Sequence, residues 1–174
     1  MKAIELFVGA GGLGMGTANA GFEHAAVIEW NHDACETIRA NQANAVAPVT
    51  TWPLFEADAS TFDFRPFADQ VALVAGGPPC QPFSIAGKHR GNQDTRDMFP
   101  HAVRAVREIR PQAFMFENVR GLTRHSFAHY FEYILLQLQH PEIVRKEDEP
   151  WLNHLSRLER HHTGGCTEGL RSHI

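Results

Sequence analysis

No apolar run in this 174-residue chain approaches the ~20 residues a membrane-spanning helix needs, so no stretch reads as a helical anchor. Cysteine is scarce. The three present, Cys35, Cys80 and Cys166, are odd in number and widely spaced. That pattern excludes a disulfide framework and a zinc ribbon, and points to a reducing cytoplasm. Basic charge is short as well: 16 Lys and Arg stand against 20 Asp and Glu, for a net charge of −4 and a pI near 6.2. A protein that grips nucleic acid unaided usually shows a basic face. Any such contact must therefore come from a local cluster or from another polypeptide. Internal repeats and low-complexity tracts are also missing, which excludes a solenoid. The opening Met1–Leu6 meets an acid and then a glycine-rich turn, so no secretory signal is expected. What remains is ordinary for a soluble globular chain, 43% hydrophobic and 21% charged, with length for one sizeable core.

Lys2 to Val8 is strand-like and runs into Gly9-Ala10-Gly11-Gly12-Leu13-Gly14. Glycines 9, 11 and 14 satisfy G-x-G-x-x-G between a strand and a helix predicted over Leu13 to Ala20. They permit a tight turn and let a ligand approach the backbone and the helix amino terminus. The pattern alone fits dinucleotide and S-adenosylmethionine sites alike. Ala25 to Glu29 reads as a second strand. Glu29 is either a ribose-binding acid or a solvated strand end, and Trp30 either stacks on an adenine face or packs as a surface aromatic; the glycine loop favours the ligand roles. His32 to Asn44 is an amphipathic crossover helix with Ala34, Cys35 and Ile38 inward. Leu54 to Asp58 reads as a short third strand, where Asp58 either accepts from an adenine amino group or caps a helix over Ser60 to Phe64.

Val71 to Ala75 is an apolar segment of the kind buried on both faces of a sheet. Gly76-Gly77-Pro78-Pro79 must end it, since proline cannot donate to a ladder. Cys80 thus falls on a stiff turn past a central strand, where open α/β sheets bind ligands. It is a candidate nucleophile, the alternative being a small buried thiol. Ser84 to Asp97 is polar, with two glycines and several cations, and reads as a lid that closes over nucleic acid. Met98 to Ile109, with Val103, Val106 and Ile109 on one face, is a covering helix stopped by Pro111. Ala113 to Phe116 is a further apolar strand that delivers Glu117 to the same edge as Cys80. Phe127 to Leu138 and Trp151 to Arg160 read as helices, and Thr163-Gly164-Gly165 as the start of a loose tail. His125 and His129 read as surface residues. His161, His162 and Cys166 match no standard metal spacing, and no metal is expected.

Pro78-Pro79-Cys80-Gln81-Pro82-Phe83-Ser84, with Glu117-Asn118-Val119 further on, closely resembles the catalytic signature of the cytosine-C5 DNA methyltransferases. The resemblance spans roughly Lys2 to Leu122. Leu6 to Leu13 looks like that family's first cofactor motif, Ile28-Glu29-Trp30 like the second, Asp58 like the acid of the third and Asp94 to Phe99 like the fifth. It implies a Rossmann-like, S-adenosylmethionine-dependent α/β fold with a mostly parallel, doubly wound sheet. Phe7, Gly9, Gly11, Gly12, Leu13, Glu29, Trp30, Asp58, Pro78 and Met98 would then line the cofactor. Cys80 and Glu117, with Pro79 and Asn118, would act on a cytosine flipped from double-stranded DNA. Gln81, Ser84, Lys88, Arg90 and Arg96 would contact the DNA.

Nothing after Leu122 resembles the family's Gln-x-Arg-x-Arg segment or its target-recognition domain. The expected organisation is a methyltransferase domain over 1–140, incomplete at one sheet edge, and a helical or irregular tail over 141–174. The strand Ala113 to Phe116 becomes an apolar edge. The expectation is a catalytic part of a restriction-modification methyltransferase, cytoplasmic and free of membrane, that needs a second polypeptide for target recognition. Alternatives are an inactive truncated frame, a non-catalytic S-adenosylmethionine module, a tRNA cytosine methyltransferase, and a nicotinamide oxidoreductase that would leave the Pro-Pro-Cys-Gln turn unexplained.

Overall fold

A computed structural model describes residues 1–79 and 97–164. The chain divides into two compact units, Met1–Leu122 and Thr123–Ile174. No helix among the described residues is long and apolar enough to cross a membrane.

The first unit is a five-stranded, wholly parallel sheet: β1 (Lys2–Leu6), β2 (Glu23–Glu29), β3 (Leu54–Glu56), β4 (Leu73–Gly76) and β5 (Ala113–Phe116). The strands lie in the order β3-β2-β1-β4-β5. Parallel neighbours require crossovers, and these are α1 (Gly12–Asn19), α2 (His32–Ala43) and α3 (Phe99–Ile109). The chain winds outward from β1 through β2 to β3, then returns to the other side of β1 for β4 and β5. The switch point lies between β1 and β4, where Leu6 pairs with Gly76. Ligands of open α/β sheets bind beyond the strand tips at such a point.

Sequence explains the central strands directly. Ile4, Leu6 and Val74 are completely buried, and each contributes about 1.5–3 kcal/mol relative to exposure. Gly76 is demanded by close approach, since a Cβ there would lie 2.5 Å from the Leu6 carbonyl oxygen. Asn31 caps α2 by accepting from the Ala34 amide at 3.0 Å, and α2 turns Cys35 and Ile38 inward as its spacing predicts. In α3, Pro100 occupies the first turn and Val103, Val106 and Ile109 are buried.

Several elements differ from expectation. β1 stops at Leu6 because Phe7 adopts φ +54°, which leaves the strand conformation. β3 stops at Glu56, and Asp58 bends the chain by accepting from the Ser60 amide at 2.7 Å. A single 3-10 turn at Arg65–Phe67, built on Pro66, stands in place of a helix over Ser60 to Phe64.

The second unit holds α4 (Ala128–Gln139) and α5 (Trp151–Gly164). α5 runs past Arg160, so Thr163 and Gly164 extend the helix and do not open a tail. Tyr130 and Tyr133 pack on Trp151, and Tyr133 meets His154 edge-on at 5.5 Å between ring centroids. The buried His154 ring is satisfied at both nitrogens: Nδ1 lies 2.8 Å from the Tyr133 hydroxyl, and Nε2 donates to the Ile143 carbonyl at 2.7 Å. These contacts group α4 with α5, which places the division between units at Leu122/Thr123.

Candidate active site

Because every strand is parallel, all five carboxyl tips share one rim, and among the described residues Phe7, Gly9, Glu29, Trp30, Asp58, Pro78 and Glu117 follow those tips. After β1, Phe7 (φ +54°), Gly9 (φ +56°) and Gly11 (φ +97°) take left-handed backbone conformations. A non-glycine residue pays for that geometry, and here it turns the chain toward the start of α1. Gly11 precedes α1 and Gly12 is its exposed first residue. The Leu13 side chain packs against Ala3, Leu73 and Ala75, so only its backbone faces the loop's opening turn.

Trp52 supports this loop from beneath. A Cβ at Gly11 would lie 2.9 Å from the Trp52 ring, and one at Gly14 would lie 2.8 Å from it. Glycine at both positions is therefore set by the indole as much as by any ligand. Trp52 packs with Val8, Val27, Ile38 and Val49. Beside it, Glu5, Thr17 and His24 form a buried polar cluster: the Thr17 hydroxyl lies 3.3 Å from Glu5 Oε2 and 3.1 Å from His24 Nε2. Sequence reasoning missed Trp52 because it lies in an irregular loop, far along the chain from the glycines.

At the β2 tip Glu29 is buried, and its carboxylate ties two loops together. Oε2 accepts from the Gly9 amide at 2.8 Å, while Oε1 accepts from Trp30 and Asn31 at 3.0 and 2.8 Å. The acid is thus no solvated strand end. Trp30, by contrast, is 72% exposed, which leaves its ring face open. At the β3 tip, Glu56 is engaged by His32 and Arg39. That leaves Asp58, whose carboxyl the Ser60 backbone amide holds below the usual carboxylate range. Arg104 of α3 fixes the chain beyond Asp58 by donating to the Ala59 and Phe62 carbonyls at 2.7 and 3.0 Å.

β4 and β5 meet at the same rim. Gly76 pairs with Phe116, and the Glu117 amide donates to the Gly76 carbonyl at 3.0 Å. The exposed Glu117 carboxylate lies over Gly77, where a Cβ would be 3.4 Å from Oε2. The Asn118 amide donates to the buried Pro78 carbonyl at 2.8 Å, and the Met98 amide donates to the Pro79 carbonyl at 3.2 Å. Two separate elements therefore grip the Pro78-Pro79 turn. Cys80, Gln81, Ser84, Lys88, Arg90 and Arg96 lie outside the described residues, as does Cys166.

An exposed carboxylate therefore stands beside a clamped turn at the rim of the sheet, next to its switch point. Residues 1–141 match the family model of C-5 cytosine-specific DNA methylases. The type II methyltransferase M.NgoMIV of Neisseria gonorrhoeae is 42% identical over 135 residues, covering 78% of this chain and 41% of that protein. M.AquIA of Picosynechococcus is 37% identical over 147 residues, covering 80% of this chain and 57% of the relative. A prophage-encoded E. coli protein described as a DNA modification methyltransferase superposes with a TM-score of 0.57 at 25% identity, over 81% of this chain and 37% of that one. The chain spans less than two thirds of the length of these relatives. By this family match, and with a fold that agrees, the chain belongs to the C-5 cytosine-specific DNA methylase family.

Proposed function

We propose that this chain carries the cofactor-binding and catalytic part of an enzyme that methylates C5 of cytosine in double-stranded DNA. The observation that carries the reading is the rim itself: Glu117 stands beside the clamped Pro78-Pro79 turn that leads into Cys80. S-adenosylmethionine, when bound, would supply an electrophilic methyl group, its sulfonium–methyl bond breaking to leave a neutral thioether. The left-handed glycine loop fits such a ligand, since its backbone is bare on the solvent side: no atom lies within 4 Å of a Cβ built at Gly9 or Gly12. Trp30 offers a stacking face and Asp58 an ionised acceptor for an adenine amino group. Glu29 holds the loop closed through the Gly9 amide and, with Oε1 accepting twice and Oε2 once, keeps one acceptor site on Oε2 for a ribose hydroxyl.

Cytosine C5 is a poor nucleophile until the ring loses its aromaticity. In the proposed cycle the Cys80 thiolate adds to C6, forming a C–S bond and pushing an electron pair toward N3 and C5. Glu117 binds N3 and the exocyclic amine and shares a proton with the developing charge. The enamine-like C5 takes up the methyl group. A base then removes the C5 proton, the electron pair reforms the C5–C6 double bond, and the thiolate leaves. Asn118 positions the turn through Pro78. Gln81, Ser84, Lys88, Arg90 and Arg96 contact the DNA around a flipped base.

A second polypeptide supplies target recognition and covers the apolar edge strand β5, where Phe114 and Met115, on opposite faces, are each 42% exposed. Duplex DNA bearing 5-fluorocytosine, incubated with S-adenosylmethionine and the chain together with that partner, should trap a covalent complex that maps to Cys80. A Cys80→Ser variant should trap none. Cofactor binding with no adduct in the wild-type pair would refute the catalytic reading.

A further inference from the structure

The helical unit brings together histidines that the sequence leaves scattered. His140 ends α4, and α5 returns so that His161 and His162 in its last turn stand beside it. His140 Nδ1 and His161 Nε2 each lie 3.9 Å from Glu142 Oε1. The three candidate donor atoms all fall within 4.8 Å of one another. The other ring nitrogen of His140, Nε2, lies 3.1 Å from His162 Nδ1. We propose that His140, Glu142 and His161 form a binding site for a divalent transition metal of the zinc class, with His162 orienting the His140 ring.

The donor chemistry suits that class. Two imidazoles and one carboxylate are zinc ligands at roughly 2.0–2.2 Å, with a further position left for water. Donors gathered around one ion at that distance stand roughly 3.3 Å apart, so the observed spacing must close slightly. Side-chain rotation supplies this, because Glu142 and His161 are 64% and 53% exposed while only His140 is held in place at 20%. A ring nitrogen partnered by a second polar group is the usual way a metal-bound histidine is oriented, and His162 occupies that place. The sequence spacing hid the site because the cluster omits Cys166 and draws one ligand from the end of α4.

The bound ion would clip together the carboxyl-terminal ends of α4 and α5, which run side by side in the same direction (Tyr130 against Trp151, Tyr133 against His154, His140 against His162), and add its binding energy to the stability of that unit. The test is titration of the full chain with Zn2+ alone, in a Cys80→Ser, Cys166→Ser background so that these thiols do not compete. One equivalent should bind saturably and raise the thermal midpoint. His140→Ala or His161→Ala should abolish that saturable binding, and His162→Ala should weaken it about tenfold, as loss of an orienting group does. His129→Ala, at an exposed histidine of the same unit, should change nothing. All four positions are at or near the surface, so circular dichroism of each variant should match the parent. Failure to bind one equivalent, or binding that survives both His140→Ala and His161→Ala, would overturn the proposal.

Discussion

β4 and β5 are both short apolar strands, paired residue for residue and ending at the same rim, yet their environments are opposite. Leu73–Gly76 is buried throughout, whereas Ala113–Met115 is exposed and only Phe116 is partly covered. Hydrophobicity therefore sets which segments become strands, and position in the sheet sets which of them are covered. β4 lies between β1 and β5, and among the described residues β5 pairs with β4 alone. An uncovered apolar edge normally invites pairing with another chain. The rim thus joins a packed side, at the glycine loop and the Pro78-Pro79 turn, to a side whose last strand is exposed.

That contrast can be broken deliberately. Trp52→Ala on the packed side should cost about 3–5 kcal/mol, the usual range for a large aromatic lost from a core. It should also weaken S-adenosylmethionine binding, because the Gly11–Gly14 turn loses its floor; denaturant melts and calorimetry read the two effects. Gly76→Ala should cost about 1–3 kcal/mol or more, since the clash is with the Leu6 backbone and not with a side chain that can swing aside. Met115→Lys on β5 should leave stability within about 0.5 kcal/mol and reduce concentration-dependent self-association in sedimentation. A large loss of stability at Met115 would mean that β5 is covered after all.

The helical unit sharpens the comparison by responding to pH. Burial pushes His154 below the ordinary histidine range, so the folded unit keeps it neutral while the unfolded chain takes up a proton near pH 6.5. The unfolded state then binds more protons, and stability falls with falling pH. The contribution is complete above about pH 6.5 and is lost as pH drops through the lower folded value. Thermal melts at pH 7 and pH 5 should show this, and His154→Gln should flatten the difference. The smallest effect concerns Cys35: fully buried, with burial pushing its thiol up, it should resist alkylation in the native chain.

Much of this was legible in the sequence. The apolar runs located β1, β4 and β5, the glycine spacing located the β1–α1 loop, and the periodicity of α3 named its buried face. Local pattern failed where long-range contacts decide. Glu29 could be placed at a strand tip, but its three backbone partners depend on how two loops meet. Asp58 was open between ligand and cap, and the Ser60 amide shows that it turns the chain while staying ionised. Trp52 gave no signal because nothing nearby in the chain reveals the glycines above it. The His140–Glu142–His161 cluster exists only once α5 returns to the end of α4.

The proposed cycle requires that the residues at positions 80 and 117 stand close enough to act on one pyrimidine ring. A bifunctional thiol reagent with the reach of a single pyrimidine, applied to the full chain carrying Glu117→Cys and Cys166→Ser, measures this without needing activity. Intramolecular bridging of Cys80 to position 117, seen as one linked peptide pair by mass spectrometry, is the predicted result. Two singly modified thiols with no bridge would contradict it.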